Sequence, residues 1–115
     1  MHKNSKLIIE VPNVDDILIK FYKINEFFNF YWQPAHNFYF NKKTLKFILD
    51  KSGLNSKLFS IQRYDISNHI SWLIYRKSGT KDEIKFFFNK SINNEYIKLL
   101  YKKNMTDTIY AICNL

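Results

Sequence analysis

The chain has 115 residues, a mass of 14.0 kDa and a formal charge of +8. We expect one domain over residues 1–115 with its own core, because 46% of the residues are hydrophobic. No apolar run approaches the roughly 20 residues that span a bilayer, and no secretory signal is apparent, so no membrane partner is expected. Cys113 is the only cysteine, which excludes an intrachain disulfide and favours a cytoplasmic location.

Lysine supplies all but two of the 18 basic residues and is scattered along the chain. A nucleic-acid surface more often gathers its basic residues in one stripe and uses arginine for two-point contacts with phosphate. We therefore interpret the charge as a solvated lysine coat and do not expect nucleic acid as the partner. A dedicated phosphate-binding face is the alternative.

The first predicted unit is a strand, a turn and a helix. Residues 6–11 form an apolar strand that is interrupted only by Glu10, so we expect helices on both of its faces. Pro12 ends the strand, and Asn13 is suited to cap a helix with apolar residues at 14, 17 and 18. Glu10 and Asn13 thus lie where a strand ends.

Residues 21–40 are crowded with aromatic side chains, have no regular period and are interrupted by Pro34. We expect a short helix or an irregular lid here. The rings are either a hydrophobic cap over the sheet or the aromatic wall of a ligand pocket.

The rest of the chain alternates helices and strands: a helix over 41–52, a strand over 57–64, a helix from about 65, helices over 82–90 and 92–103, and a closing strand over 108–113. Asn41 is suited to cap the first of these helices and Gly53 to end it, and Asn104 can end the last. The helix from about 65 carries apolar residues on one face: Ile66, Ile70, Leu73 and Ile74.

Several familiar sites are absent from the sequence. Gly53 and Gly79 stand alone, so no glycine-rich phosphate loop can form. The three histidines do not have the spacing of metal ligands, and no metal is expected.

Three polar clusters remain as candidates for a site: residues 10–13, residues 33–36 and residues 64–69. Ligands of open α/β sheets bind beyond the carboxyl ends of strands, where the first cluster lies. His36, among aromatic rings, is a candidate general base, and a hydrogen-bonded core histidine is the alternative. Helix capping explains Asp65 or Ser67 in the third cluster but not Asn68 and His69 together.

In this order the clusters resemble class I S-adenosylmethionine-dependent methyltransferases, in particular bacterial members linked to surface-sugar biosynthesis. The resembling segments are Ser5–Asn13 (fifth strand with its Glu-Val-Pro-Asn), His36–Leu45 with the following Gly53, Gln62–His69 with Trp72, and Asp107–Cys113 (the final antiparallel strand).

The resemblance implies an α/β fold: a partial Rossmann-like methyltransferase fold with a three-stranded mixed sheet and flanking helices. The last strand would be antiparallel and lie between the other two. The family's glycine-rich loop and ribose-binding acid have no counterpart here, so the chain would be the C-terminal, acceptor-side half of a truncated or split enzyme. S-adenosylmethionine is the cofactor of the intact family enzyme, and we expect none to bind this chain alone.

The resemblance also implies roles for side chains. His36 would be the base, and Asn13, Gln33, Tyr39, Asn68 and His69 would contact a small-molecule acceptor, for which a sugar is one candidate. The first strand would have an open edge, which implies a missing N-terminal half or self-association as partner. A non-catalytic basic module that binds RNA or docks on a partner subunit is the rival function.

Overall fold

The computed structural model describes residues 5–114. The elements, in chain order, are β1 (Leu7–Pro12), α1 (Ile17–Lys20), α2 (Asn25–Tyr31), α3 (Lys42–Lys51), β2 (Asn55–Ile61), α4 (Ile66–Tyr75), α5 (Asp82–Phe87), α6 (Lys90–Lys103) and β3 (Thr108–Asn114). The fold is therefore α/β, and every predicted element is present with bounds that differ by a few residues. Over this part of the chain, no helix has both the length and the apolar character needed to cross a membrane.

The three strands form one open sheet in the order β1-β3-β2. β3 is antiparallel to both neighbours, with Leu7 opposite Cys113 and Ser56 opposite the same residue from the other side. The expected place and direction of the last strand are confirmed. The expectation of a mixed sheet was wrong, because β1 and β2, which run in the same direction, are separated by β3 and every hydrogen-bonded pair is antiparallel.

One face of the sheet is covered by α3. Leu45 and Leu49, one turn apart on the helix, pack with the alternate residues Ile109, Ala111 and Cys113 of β3, and all five are buried. The pleat directs alternate side chains to opposite faces, so this face takes every second residue of each strand. The buried Cys113 thiol therefore packs as a small hydrophobic group.

No helix within residues 5–114 covers the opposite face of the sheet, and the expectation of helices on both faces of β1 was wrong. Ile8 is 58% exposed and Phe59 is 45% exposed, on the two edge strands. The accessible surface of the chain is 7983 Å², against roughly 6,700 Å² for a compact monomer of 14.0 kDa. The helices that form the second core, α1, α2, α4 and α6, pack against one another and not on this face.

A second core lies among the helices beyond the carboxyl ends of β1 and β2. Leu18 of α1, Phe27 and Tyr31 of α2, Trp72 of α4 and Leu100 of α6 are all buried in it. The short helix predicted within residues 21–40 is confirmed as α2, and residues 32–40 after it are irregular. The aromatic segment thus supplies the interior between the helices.

Local signals set the ends of two helices as predicted. Asn41 and Thr44 form a capping box at the start of α3. Gly53, with φ +72°, ends this helix, while Asn104, with φ +54°, ends α6. A left-handed residue at these positions lets the next N–H groups bond back to the last helical carbonyls.

Asn13 does not cap a helix, contrary to the prediction. Its side-chain oxygen accepts the N–H of Asp15 at 3.0 Å, and its amide nitrogen donates to the carbonyl of Thr106 at 2.7 Å. The cap of α1 is Asp16, which accepts the N–H of Leu18. The helix starts later because Asn13 closes a local turn and is held by the loop before β3.

The fully buried residues of α4 are mainly polar. Ser67, His69, Ser71 and Trp72 are buried, whereas Ile74 is 60% exposed. Ser67 and Ser71 lie one turn apart and so share this buried side of the helix. Of the predicted apolar residues of this helix, Ile66, Ile70 and Leu73 are half-buried and only Ile74 is exposed.

A cleft at the carboxyl ends of β1 and β2

A cleft of about 330 Å³ lies where β1 and β2 end, between the sheet, α2 and α4. Its aromatic lining consists of Phe27, Phe30, Tyr31 and Trp72. Its polar lining consists of Glu10, Asp16, Gln33, His36, Arg63, Tyr64, Asn68, His69, Ser78, Asp107 and Thr108. Residues from all three polar clusters of the sequence therefore meet in one place.

The aromatic wall is built from two helices. The ring of Phe27 meets Trp72 edge-on at 5.0 Å between centroids, and Phe30 lies 5.4 Å from the same indole. Edge-on and tilted contacts of this kind are the arrangements that aromatic rings prefer. They join α2 to α4 and give the cleft an apolar side.

Asp107, just before β3, organises the polar side. Its Oδ2 accepts the backbone N–H groups of Arg63 at 2.8 Å and Tyr64 at 3.1 Å, and also the side-chain amide of Gln62 at 2.8 Å. Thr108 donates its hydroxyl to Oδ1 at 2.7 Å. Burial raises the pKa of this carboxyl, and the hydrogen bonds offset part of that effect. Asp107 thus fixes the segment after β2 against the start of β3.

The guanidinium of Arg63 forms an ion pair with Glu10 of β1. Its Nε donates to Oε1 of Glu10 at 2.9 Å and its terminal nitrogen to the same oxygen at 2.5 Å. The hydrogen bond from the guanidinium to Glu10 raises the pKa of Arg63. Both side chains are about half exposed, so the ion pair lies at the mouth of the cleft.

His69 is the most enclosed of the predicted site residues, with 2% of its surface exposed. Its Nδ1 lies 2.8 Å from the hydroxyl of Tyr96 on α6. Burial lowers the pKa of His69 to about 4, so the imidazole is neutral at pH 7. His69 can therefore exchange hydrogen bonds with a ligand but does not supply a positive charge.

Asp16 is a buried acid in the lining. Burial raises the pKa of Asp16 to about 7. The hydrogen bond from the N–H of Leu18 opposes this rise, and the negative charge of Asp107 adds to it. The Tyr31 hydroxyl is buried and has no hydrogen-bond partner among residues 5–114. Burial, followed by the nearby charge of Asp16, raises the pKa of Tyr31.

The predicted site residues fall into two groups. Gln33, His36, Asn68 and His69 line the cleft, with Gln33 and His36 exposed on the turn after α2. Asn13 and Tyr39 are outside the lining.

Tyr39 supports the cleft from behind. Its hydroxyl accepts the N–H of Gln33 at 2.8 Å and donates to the carbonyl of Tyr31 at 2.8 Å. These two bonds join the end of α2 to the turn that carries Gln33 and His36. Tyr39 is therefore a positioning residue for that turn.

Sequence reasoning did not propose Asp16, Arg63 or Asp107 as site residues. Asp16 falls within a predicted helix, and Asp107 was named only as the start of the segment that resembles the final strand. A signal for Asp107 does exist, because three polar residues, Thr106–Thr108, precede an otherwise apolar strand. Buried polar groups at such a place need partners, which here come from the segment after β2.

Comparisons of this chain with protein-family models, with curated proteins and with solved structures find no match.

Proposed function

We propose that this chain is the acceptor-binding half of a class I S-adenosylmethionine-dependent methyltransferase and has no activity alone. One observation carries the proposal. The three polar clusters that resemble the family come together in one cleft at the carboxyl ends of β1 and β2, where open α/β sheets bind their ligands. The place of β3, antiparallel between the other two strands, is the order that the resemblance implies.

The described residues do not fit the methyl donor. A donor of this kind is held by a glycine-rich turn that follows a strand, whereas Gly53 follows α3 and Gly79 follows α4. The proposal therefore assigns S-adenosylmethionine to a second polypeptide segment outside these 115 residues. That segment pairs with the open edge of β1 and covers the exposed face around Ile8 and Phe59.

Within the cleft the proposal gives each side chain a task. His36, exposed on the turn after α2, takes the proton from the acceptor as methyl transfer proceeds. Gln33 and Asn68 orient the acceptor by hydrogen bonds, and the aromatic wall of Phe27 and Trp72 excludes water from one side. The free thiol of Cys113 suits a reducing cytoplasm, where we place the enzyme.

The test combines this chain with a second polypeptide from the same genome. That polypeptide is the product of the adjoining reading frame that encodes a glycine-rich strand–loop–helix. Transfer of labelled methyl from S-adenosylmethionine to a small-molecule extract of the same cells is measured for the pair and for each chain alone. We expect transfer by the pair only. In the pair, His36→Ala lowers kcat by about 100-fold, in the range of general base catalysis.

The matched control is Asn37→Ala, since Asn37 is exposed beside His36 but is outside the cleft lining. Its kcat should equal that of the unchanged pair. The proposal is wrong if the pair transfers no methyl, and His36 is not the base if its variant retains full turnover. Calorimetric binding of S-adenosylmethionine to the isolated chain at micromolar concentration would show that the donor site is within these residues.

A further inference from the structure

The cleft has the opposite charge to the molecule around it. The chain carries +8, yet no lysine among residues 5–114 lines the cleft. The charged residues of the lining are the acids Glu10, Asp16 and Asp107, and one base, Arg63. Arg63 is already paired with Glu10, so two carboxyl groups remain on the inner side.

Of these two carboxyls, Asp16 has unused hydrogen-bonding capacity. Asp107 has partners on both oxygens. Asp16 is 2% exposed, and its Oδ1 accepts the N–H of Leu18 at 2.7 Å. Its Oδ2 accepts no hydrogen bond within residues 5–114. This oxygen is also accessible, since the fully buried side-chain atoms without a partner do not include it. It is therefore open to the cleft that Asp16 lines.

Aromatic rings form the apolar side of the same cleft. Phe27, Phe30 and Trp72 line it together with Asp16. The faces of such rings attract cations. A cationic ligand in the cleft would therefore meet both a carboxylate and aromatic rings.

We propose that the cleft binds an organic ammonium group, with the Asp16 carboxylate as its anchor and the rings of Phe27, Phe30 and Trp72 as its aromatic surroundings. This proposal deepens the proposed function. It rests on that function for one point, namely that the ligand is the methyl acceptor. The ammonium is the anchor of that acceptor, and the atom that receives the methyl group is a different one, within reach of His36.

Other classes of ligand fit this lining less well. An anion would be repelled by the negative charges of Asp16 and Asp107, both of which line the cleft. A metal ion needs several ligating side chains at one point, and residues 5–114 contain no group of three or more histidine, cysteine or acidic side chains suited to that. A neutral hydroxylated ligand would gain nothing from the negative charge of Asp16. Comparing its affinity with that of an ammonium ligand therefore measures the contribution of this charge.

The test is calorimetric titration of the isolated chain with benzylammonium at pH 8, beside benzyl alcohol and benzoate. We expect benzylammonium to bind at least tenfold more tightly than benzyl alcohol, and benzoate to give no binding. Equal affinity for the amine and the alcohol, or no binding of the amine at millimolar concentration, overturns the proposal. Binding of these probes does not require a methyl donor. A failure to bind benzylammonium is therefore distinguishable from a failure of methyl transfer by the paired chains.

Asp16→Asn should lower the affinity for benzylammonium at least tenfold. Asparagine retains the oxygen that caps α1, and the matched control is Asp15→Asn, next in sequence but outside the lining. We expect the control to bind within about twofold of the unchanged chain, in keeping with a surface charge. Loss of affinity in both variants, or in neither, contradicts an anchoring role for Asp16.

The pH dependence gives a check that needs no variant. Asp16 is faced by Asp107 at the start of β3, Tyr31 on α2 and Tyr96 on α6, and the rest of the lining adds Glu10, Arg63, His36 and His69. Because its pKa is near 7, the carboxyl is protonated in acid and loses its charge. Affinity for benzylammonium should therefore rise by about tenfold between pH 6 and pH 8. A flat profile contradicts the proposal, and in Asp16→Asn this rise should disappear.

Discussion

Nε of Arg63 lies 2.9 Å from Oε1 of Glu10, and this contact joins the segment after β2 to β1 across the central strand. The two residues are 53 positions apart in the chain. The ion pair lies at the mouth of the cleft, on the side of the sheet. The backbone N–H of Arg63 donates to the carboxylate of Asp107, deeper in the cleft. The geometry of the cleft thus depends on one exposed contact and one buried contact of the same residue.

These two contacts should differ in their effect on stability. Asp107→Ala removes the acceptor of four hydrogen bonds in a largely buried place, and we expect it to lower the free energy of unfolding by about 3 kcal/mol. Glu10→Ala removes only an exposed ion pair and should leave the urea midpoint nearly unchanged. Urea denaturation followed by circular dichroism measures both, and equal effects would contradict the role given to Asp107.

The stability of the chain should depend on pH through two buried groups that oppose each other. The pKa of Asp16 is raised from 3.8 to about 7, so the folded state holds an extra proton and stability falls as the pH rises through that window. The pKa of His69 is lowered from 6.5 to about 4, so the folded state lacks a proton and stability rises between these values. From pH 4 to 6.5 the two trends largely cancel.

Single variants should separate these trends. Asp16→Asn leaves the contribution of His69, opposed by the raised pKa of Asp107, so its free energy of unfolding should increase from pH 4 to pH 6.5 relative to that of the unchanged chain. His69→Gln leaves that of Asp16, so its stability should decrease from pH 4 to pH 7. Urea denaturation at each pH gives the two slopes, and slopes of the same sign would be inconsistent with the burial of these groups.

Tyr39→Phe should loosen the turn after α2. The change removes the hydroxyl that accepts the N–H of Gln33 and donates to the carbonyl of Tyr31. We expect faster hydrogen exchange over residues 32–38 and a loss of about 1 kcal/mol in the free energy of unfolding. Tyr110→Phe is the matched control, because Tyr110 is on the sheet and its hydroxyl makes no hydrogen bond within residues 5–114. Equal exchange rates in the two variants would show that the Tyr39 hydroxyl does not hold the turn.

The exposed sheet face should cause self-association of the isolated chain. Ile8 and Phe59 present apolar surface on two edge strands, and edge strands with such surface pair with other chains. Sedimentation velocity at increasing concentration should show oligomers, which Ile8→Lys removes. Phe47→Lys, at an exposed position on α3, is the control and should associate as before. A monomer at every concentration would contradict this prediction.

Much of the fold could be predicted from the sequence where the determining contact is local. The cap at Asn41 and the left-handed Gly53 set the ends of α3 through bonds to residues a few positions away. The alternation within β3 set which of its residues face α3. The convergence of residues 10, 33–36 and 64–69 was expected only from the resemblance, since no local pattern connects them.

The sequence by itself determined which segments are helices and strands and where α3 and α6 end, because helix caps, turns and residue periodicity act over a few positions. Only the tertiary structure decided that α4 buries its serines and His69, that one sheet face stays open, and that Asp16 and Asp107 line the cleft. These features depend on burial and on hydrogen bonds between distant segments, such as the one from Arg63 to Asp107. The same side chain is a solvated charge or a buried acid according to what packs around it.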